Sequence, residues 1–484
     1  MDQEIFQLSY LQAILPELLL LLLGLVLLGV DLALPEERKR DLSLWAAVGF
    51  AIVALSAPFS YLGEPQFVFG GMIGNEPLNA IFAFIFALAA FLVALISRDY
   101  EALEPSGVYY ALLAFAVIGM DLMVAATDFI MLYVALELTG ISLYLLAGYD
   151  RNSRFSAEAG MKYFFYGSVA SAVMLYGIAF LFGATGGTLY IVVRNLLAFS
   201  SGLPSWFAMG VLVLLLAGVG FKIAVVPLHT WAPDVYEGAP TSVTAFLSVT
   251  SKAAGFVVLM RLMIWIWSAL PASADAASLM AALAVVTITL GNLFALRQKS
   301  FKRMLAYSSI TQAGYILVGV AAMSAMGLTA VSFYLAIYAV TNIAAFAVLI
   351  LVSNRTGGDW LRNLVGLQQR SPALALALLV SLLSLGGVPP FAGFVGKILL
   401  FAAALKSGFV WLVAAALANV LISLYYYLNA VRMAYTRSEE PVEPIAVPVA
   451  SRWALIIATA GIVLGTILAY PLYHLLEKAA MVWF

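Results

Sequence analysis

The chain has 484 residues, of which 64% are hydrophobic and 10% charged, with a mean hydropathy of +1.03. A soluble domain carries about 25% charged residues, so the composition is that of an integral membrane protein, and the net charge of −1 offers nothing to nucleic acid. Cysteine is absent and histidine limited to His229 and His474, which excludes disulfides, thiolate metal sites and cysteine-ligated iron–sulfur clusters and leaves little for haem or copper; no metal site or redox centre is expected in this chain.

The chain opens Met1-Asp2-Gln3-Glu4, acidic rather than basic, so the apolar run that follows reads as a span and not a cleaved signal peptide. A span takes about 20 mainly apolar residues. About fourteen stretches qualify, near 10–32, 42–62, 77–96, 107–125, 128–148, 160–184, 205–229, 240–266, 276–296, 303–324, 328–352, 372–405, 409–435 and 450–473. They are apolar all round, without the alternation of barrel strands. The expected fold is therefore all-α and polytopic. The longest loops are 185–205, 353–371 and 437–451, the last a solvated linker with Glu439, Pro441, Glu443 and Pro444. One set of loops carries sixteen Lys and Arg, from Arg38-Lys39-Arg40 to Arg452; the other holds Arg194, Lys406 and Lys478. The positive-inside rule then puts both termini on the outer side of the membrane. Lys162 and Arg261, near span ends, are read as structural groups that snorkel to the interface. Glu17, Asp31, Asp121 and Asp128 are read as interfacial, and His474 as a surface residue.

Two spans look broken. The seventh carries Gly218-Val219-Gly220-Phe221-Lys222 and then Pro227; the twelfth carries Gly386-Gly387-Val388-Pro389-Pro390 before Gly396-Lys397. Proline removes a backbone donor and clashes with the preceding turn. Freed backbone groups at membrane depth need protein or water partners, so each break is expected to line a hydrated cavity. On this topology the two broken spans run in opposite directions, the mark of an inverted repeat. The expected organisation is a three-helix segment (1–106), two five-helix repeats (107–270 and 271–436), and a linker with the last helix (437–484).

The charges inside the spans are few. A lysine at the centre of a membrane helix costs about 2.5–3.5 kcal/mol, and desolvation disfavours its charged form. Lys222, Lys252 and Lys397 all lie in apolar runs, and Glu137 is the carboxylate at mid-span. Together they read as a proton relay. Lys222 is the natural partner of Glu137 if their spans meet; the bland alternative is a static ion pair that fixes helix register. The small hydroxyl residues around Lys252, Ser251 among them, could hold water or simply pack helices. His229 suits proton entry, or bonds to loop backbone. Tyr307 and Ser308 are placed to orient water. Asp234 and Glu237 are read as loop residues holding backbone donors, and Lys302 and Arg303 as part of the positive inner loop. No phosphate-binding loop ends in Gly-Lys-Ser/Thr, and no His/carboxylate cluster has metal-ligand spacing.

Three segments carry a resemblance. Phe221-Lys222 through Pro227, His229, Trp231 and Pro233-Asp234-Val235-Tyr236-Glu237-Gly238-Ala239-Pro240-Thr241 is similar to the signature of the antiporter-like subunits of respiratory complex I and of multisubunit sodium/proton antiporters. Met304-Leu305-Ala306-Tyr307-Ser308-Ser309-Ile310 and Leu385 through Lys397 resemble two further segments of that family, and the likeness covers roughly 105–430. Within it the chain resembles the N-type subunits of bacterial NADH:quinone oxidoreductase: Lys397 stands where M-type subunits carry glutamate, the stretch Leu175 to Thr188 is similar, and the long lateral helix of L-type subunits is missing. The D-type antiporter subunits share the lysine and are the alternative. The resemblance implies an input pair of Glu137 and Lys222, a central relay at Lys252 and a site near the exit at Lys397. It also implies a bacterial plasma (inner) membrane location and neighbouring complex I membrane subunits as partners. NADH, FMN, iron–sulfur clusters and quinone would be handled by other subunits.

Overall fold

The computed structural model describes residues 8–104, 106–199, 204–439, 441 and 443–484; the acidic opening at Met1–Glu4 lies outside them. The chain is a bundle of helices. The first part holds α1 (Leu8–Ala13), α2 (Leu15–Ala33), α3 (Leu42–Ser60) and α4 (Pro77–Arg98), with a small antiparallel hairpin of β1 (Gln66–Val68) and β2 (Ile73–Asn75) between α3 and α4. Next come α5 (Gly107–Ala125), α6 (Phe129–Ala147), α7 (Arg154–Thr185), α8 (Tyr190–Phe199), α9 (Ser205–Ile223), α10 (Trp231–Gly238) and α11 (Thr241–Trp265). Then follow α12 (Ser273–Ala295), α13 (Phe301–Ala321), α14 (Ala325–Thr356), α15 (Leu367–Arg370), α16 (Pro372–Gly386), α17 (Ala392–Lys406), α18 (Val410–Tyr435), α19 (Val449–Ile467) and α20 (Ala469–Ala480).

Among the described residues, 13 helices are long and apolar enough to cross a membrane, and the shorter apolar helix α16 continues through a break into α17. The fourteen expected spans are accounted for, the last ending at Ile467 rather than near 473. The stretch 185–205 is not plain loop: it holds the helix α8. Helix ends follow local chemistry. Asp128, expected at the interface, is an N-cap whose carboxylate accepts from the N–H groups of Ile130 and Met131. Ser153, Ser300 and Ser324 cap α7, α13 and α14 in the same way. Asp31 lies 3.9 Å from Lys39.

Burial sorts the helices. α11 is enclosed along its whole span, and α13 and α14 nearly so, whereas α2, α7, α12, α18 and α19 leave most of their spans on the periphery. A helix apolar on every side belongs either in a core or in lipid, and both kinds are present. The enclosed trio carries Lys252 (α11), the serines beside it (α13) and Asn342 (α14). The polar side chains are therefore gathered at the middle of the bundle.

Both expected breaks are present. α9 stops at Ile223, where Ala224 takes a left-handed conformation (φ 56°), and the Val225 N–H bonds back to the Gly220 carbonyl at 3.0 Å. α16 stops at Gly386, where Gly387 is left-handed (φ 76°), and the Val388 N–H bonds back to the Leu383 carbonyl at 3.0 Å. The same capping geometry ends both helices, each followed within three residues by Pro227 or the Pro389-Pro390 pair, all exposed.

Candidate functional site: a buried lysine axis

Lys222 occupies the last turn of α9, where the helix dipole favours a cation. The Gly255 position on α11 makes this possible. A Cβ there would stand 2.6 Å from Ile223 Cγ2 and 3.5 Å from Lys222 Cβ, so only glycine lets α11 approach the end of α9. Lys222 is 2% exposed, and its Nζ has no hydrogen-bond partner among the described residues. Glu137 Oε1 on α6 has none either. The two groups make no ion pair or hydrogen bond, and α7 packs against both α6 and α9. The expected contact between Glu137 and Lys222 is thus not made.

Lys252, in the middle of α11, is 1% exposed. Its amine donates to both the backbone carbonyl and the hydroxyl of Ser309 on α13. Ser251 next to it lies near Tyr163, and neither hydroxyl has a geometric hydrogen bond. One turn earlier on α11, Ser248 accepts from Asn342 Nδ2 at 2.6 Å.

Lys397 reaches back across the second break. Its Nζ donates to the carbonyls of Leu385 (2.9 Å) and Gly386 (3.2 Å) and sits 4.4 Å from the centre of the Tyr315 ring. These are carbonyls that a helix end leaves unpaired. A Cβ at Gly387 would lie 2.8 Å from Lys397 Cδ, so glycine is favoured here by its positive φ and, unlike at Ala224 in the first break, by the room it leaves for the lysine. In the first break the comparable cap is the Trp231 indole N–H, which donates to the Phe221 carbonyl at 3.1 Å.

Between Lys252 and Lys397 lies a set of polar contacts of which the sequence singled out only Ser308 and the lysines. Ser308, adjacent to Ser309, bonds Tyr427 OH on α18. Gln312, one turn along α13, donates from Nε2 to Tyr427 OH (3.0 Å) and to the Leu385 carbonyl (3.0 Å), and accepts from Tyr334 OH at 2.5 Å. The Leu385 carbonyl also accepts from Lys397. Gln312 and Lys397 therefore share one acceptor. A glutamine and two tyrosines in apolar helices give no pattern of their own, and only packing reveals them.

Other expected residues stand apart. Tyr307 is half-buried against Phe294, with ring centres 5.5 Å apart, and joins no part of this set. His229 lies half-buried in the first break; its Nδ1 leans toward the Pro227 backbone without a geometric hydrogen bond. His474 is half-buried at the periphery and pairs with Glu477 at 3.0 Å.

Several charges differ from their sequence reading. Asp234 and Glu237 are not loop residues: they ride on α10 and form ion pairs. Lys162 binds Asp234 at 2.8 Å, and Arg303 binds both Asp234 (3.2 Å) and Glu237. Lys302 is buried rather than a loop charge, and it donates to the carbonyls of Glu237 (2.9 Å) and Ala239 (2.6 Å) at the end of α10. These groups border a cavity of about 910 Å³. Arg261 does not snorkel: it is 1% exposed and bidentate to Glu76, at 3.1 and 2.8 Å, against the Trp265 and Trp483 rings. Glu17 and Asp121 also differ from free interfacial acids: Asp121 is 4% exposed, and both its oxygens and Glu17 Oε2 are enclosed without a hydrogen-bond partner.

Comparison with known proteins fits this arrangement. The sequence profile of the family described as NADH:quinone oxidoreductase/Mrp antiporter, transmembrane, matches residues 126–423. The NADH-quinone oxidoreductase subunit N of Trichlorobacter lovleyi is 39% identical over 480 residues, covering 98% of each chain. That of Desulfovibrio desulfuricans is 42% identical over 454 residues, covering 90% of this chain and 89% of the relative. A chain of respiratory complex I from Thermus thermophilus superposes with a TM-score of 0.79 at 32% identity, over 94% of this chain and 97% of that one. A chain of the Mrp complex from Dietzia shares the fold, with a TM-score of 0.86 at 21% identity over 98% and 97%. The chain belongs to the NADH:quinone oxidoreductase/Mrp antiporter transmembrane family, alongside the subunit N chains of that family.

Proposed function

We propose that this chain carries protons across the membrane as a membrane-arm subunit of an NADH:quinone oxidoreductase, along the axis Glu137–Lys222–Lys252–Lys397. One observation supports this above the others: Lys252 bonds Ser309, and from the next residue, Ser308, a polar network of Tyr427 and Gln312 reaches the carbonyl that Lys397 also holds, leaving water to join the two serines. Amines enclosed in protein and linked by hydroxyls and an amide can pass a proton by small rotations, whereas the same amines in dry apolar packing could not. The separated Glu137 and Lys222 are one state of an input pair. Closing the pair favours the charged amine, opening it favours release toward Lys252, and a charge change in a neighbouring membrane subunit shifts the balance. His229 beside the first break and Ser251 beside Lys252 serve proton entry and water positioning; Tyr307 has the weaker claim. The two breaks, at Pro227 and at Pro389-Pro390, mark corresponding places in two inverted five-helix units, 107–270 and 271–436, flanked by 1–106 and 437–484. Both termini face the outer side of a bacterial inner membrane. NADH, FMN, iron–sulfur clusters and quinone are the business of other subunits, and this chain holds no redox centre.

The test uses the whole complex in proteoliposomes. Lys222→Ala and Lys397→Ala should each lower the protons moved per NADH oxidised; native pumping in both would remove the relay. A second reading, a D-type subunit of a sodium/proton antiporter, draws on the shared fold with the Dietzia Mrp chain. Unchanged NADH-driven proton flux with lost sodium export in Lys397→Ala would favour it.

A further inference from the structure

The N-terminal helices bury a second set of acids outside the relay. α2 and α5 pack antiparallel. Gly24 faces Ala111 and Phe115, and Gly107 faces the Leu27 carbonyl and Asp31. Carried two turns toward the start of α2, that register sets Glu17 level with Asp121 on the packed pair of helices. Asp121 is 4% exposed and neither of its oxygens has a hydrogen-bond partner; Glu17 Oε2 is enclosed and unpartnered as well. No cation is left for them among the described residues. α3 carries no charged side chain, and on α4 Arg98 pairs with Asp41 at 3.1 Å at the far end. On α11, Arg261 is held by Glu76 and ends on the Val124 carbonyl at 3.1 Å, one turn past Asp121. On α6, which carries no cation, Asp128 is spent on capping its helix.

We propose that Glu17 and Asp121 hold one proton between them, forming a proton-binding site separate from the lysine axis. Two enclosed carboxylates at one level of a packed helix pair, in a medium of low dielectric, cannot both stay charged without a cation. A single proton turns one into a donor and the other into its acceptor, the arrangement of a carboxyl dyad. Uptake forms one O–H bond and one O–H···O contact; release returns the proton to water, and no other bond changes. The site lies one turn beneath a small apolar plug of Ala13, Val68, Ile73 and Ala125, which the hairpin and α1 close over this end of the bundle. Exchange with solvent therefore follows movement of that plug.

Infrared difference spectroscopy of the purified complex in H2O and D2O reads the protonated-carboxyl C=O stretch. The native protein should show one D2O-sensitive band that Asp121→Asn and Glu17→Gln each shift or remove. The double variant should lose that one band and no other. Two bands lost independently, or no protonated band in the native protein, would overturn the proposal. So would carboxylate bands that instead respond to sodium, since these indicate a cation site. If Asp121→Asn prevents assembly, Glu17→Gln, on the more exposed helix, gives the same reading.

Discussion

Replacing Gly387 by alanine isolates the placement of Lys397. At φ 76° a Cβ strains the backbone by about 1–2 kcal/mol. It would also stand 2.8 Å from Lys397 Cδ and 3.3 Å from its Nζ, so the lysine must leave the carbonyls of Leu385 and Gly386. Hydrogen bonds to a charged group contribute about 1.5–3 kcal/mol each. A net shift of about 2.8 kcal/mol against the bonded position lowers its occupancy about a hundredfold. Gly186 provides the control. Its φ is 67° and nothing lies within 4 Å of a Cβ there, so Gly186→Ala carries the backbone strain without the collision. In proteoliposomes, proton uptake followed by dye quenching and divided by NADH oxidised should fall in Gly387→Ala to the level of Lys397→Ala, and stay native in Gly186→Ala. A native ratio in Gly387→Ala, or an equal fall in both variants, would refute the reasoning.

Two further outcomes follow from the same geometry. Gln312→Leu removes the donor to Tyr427 and Leu385 and leaves the Tyr334 hydroxyl without an acceptor, a cost of about 1–3 kcal/mol for the orphaned group; pumping should drop although all three lysines remain, and full pumping would mean protons bypass this path. Glu76→Gln leaves the Arg261 guanidinium charged and enclosed, which costs about 3–5 kcal/mol; the melting temperature should fall clearly and recover largely in Glu76→Gln/Arg261→Met, whereas a native melt of Glu76→Gln would show that the ion pair contributes little.

What the sequence revealed depended on the range of the signal. Spans are local, so runs of apolar residues disclosed nearly all of them. The breaks are local too, because Gly386-Gly387 and the prolines sit beside one another. Lys222, Lys252 and Lys397 stood out because a charge in hydrocarbon is conspicuous by itself. Pairings between distant positions were hidden. Arg261 and Glu76 are 185 residues apart, so the arginine read as a residue near a span end when it is a buried counter-ion. Asp234 and Glu237 fell between apolar runs and read as loop, because α10 is only 8 residues long and amphipathic. Gln312, Tyr334 and Tyr427 are ordinary helix residues until three helices bring them together. Glu17 and Asp121, each near the end of its own span, gave no hint of lying at one level of a packed helix pair.

The meeting point of Gln312 and Lys397 is a main-chain oxygen. No codon change at position 385 can delete it, since every amino acid brings the same carbonyl. Substitution of the Leu385 side chain, 2% exposed in the core, is limited by packing and not by the loss of this acceptor, provided the helix still ends where it does. The vulnerable spot is the neighbour two places on, Gly387, whose missing side chain keeps that oxygen within reach.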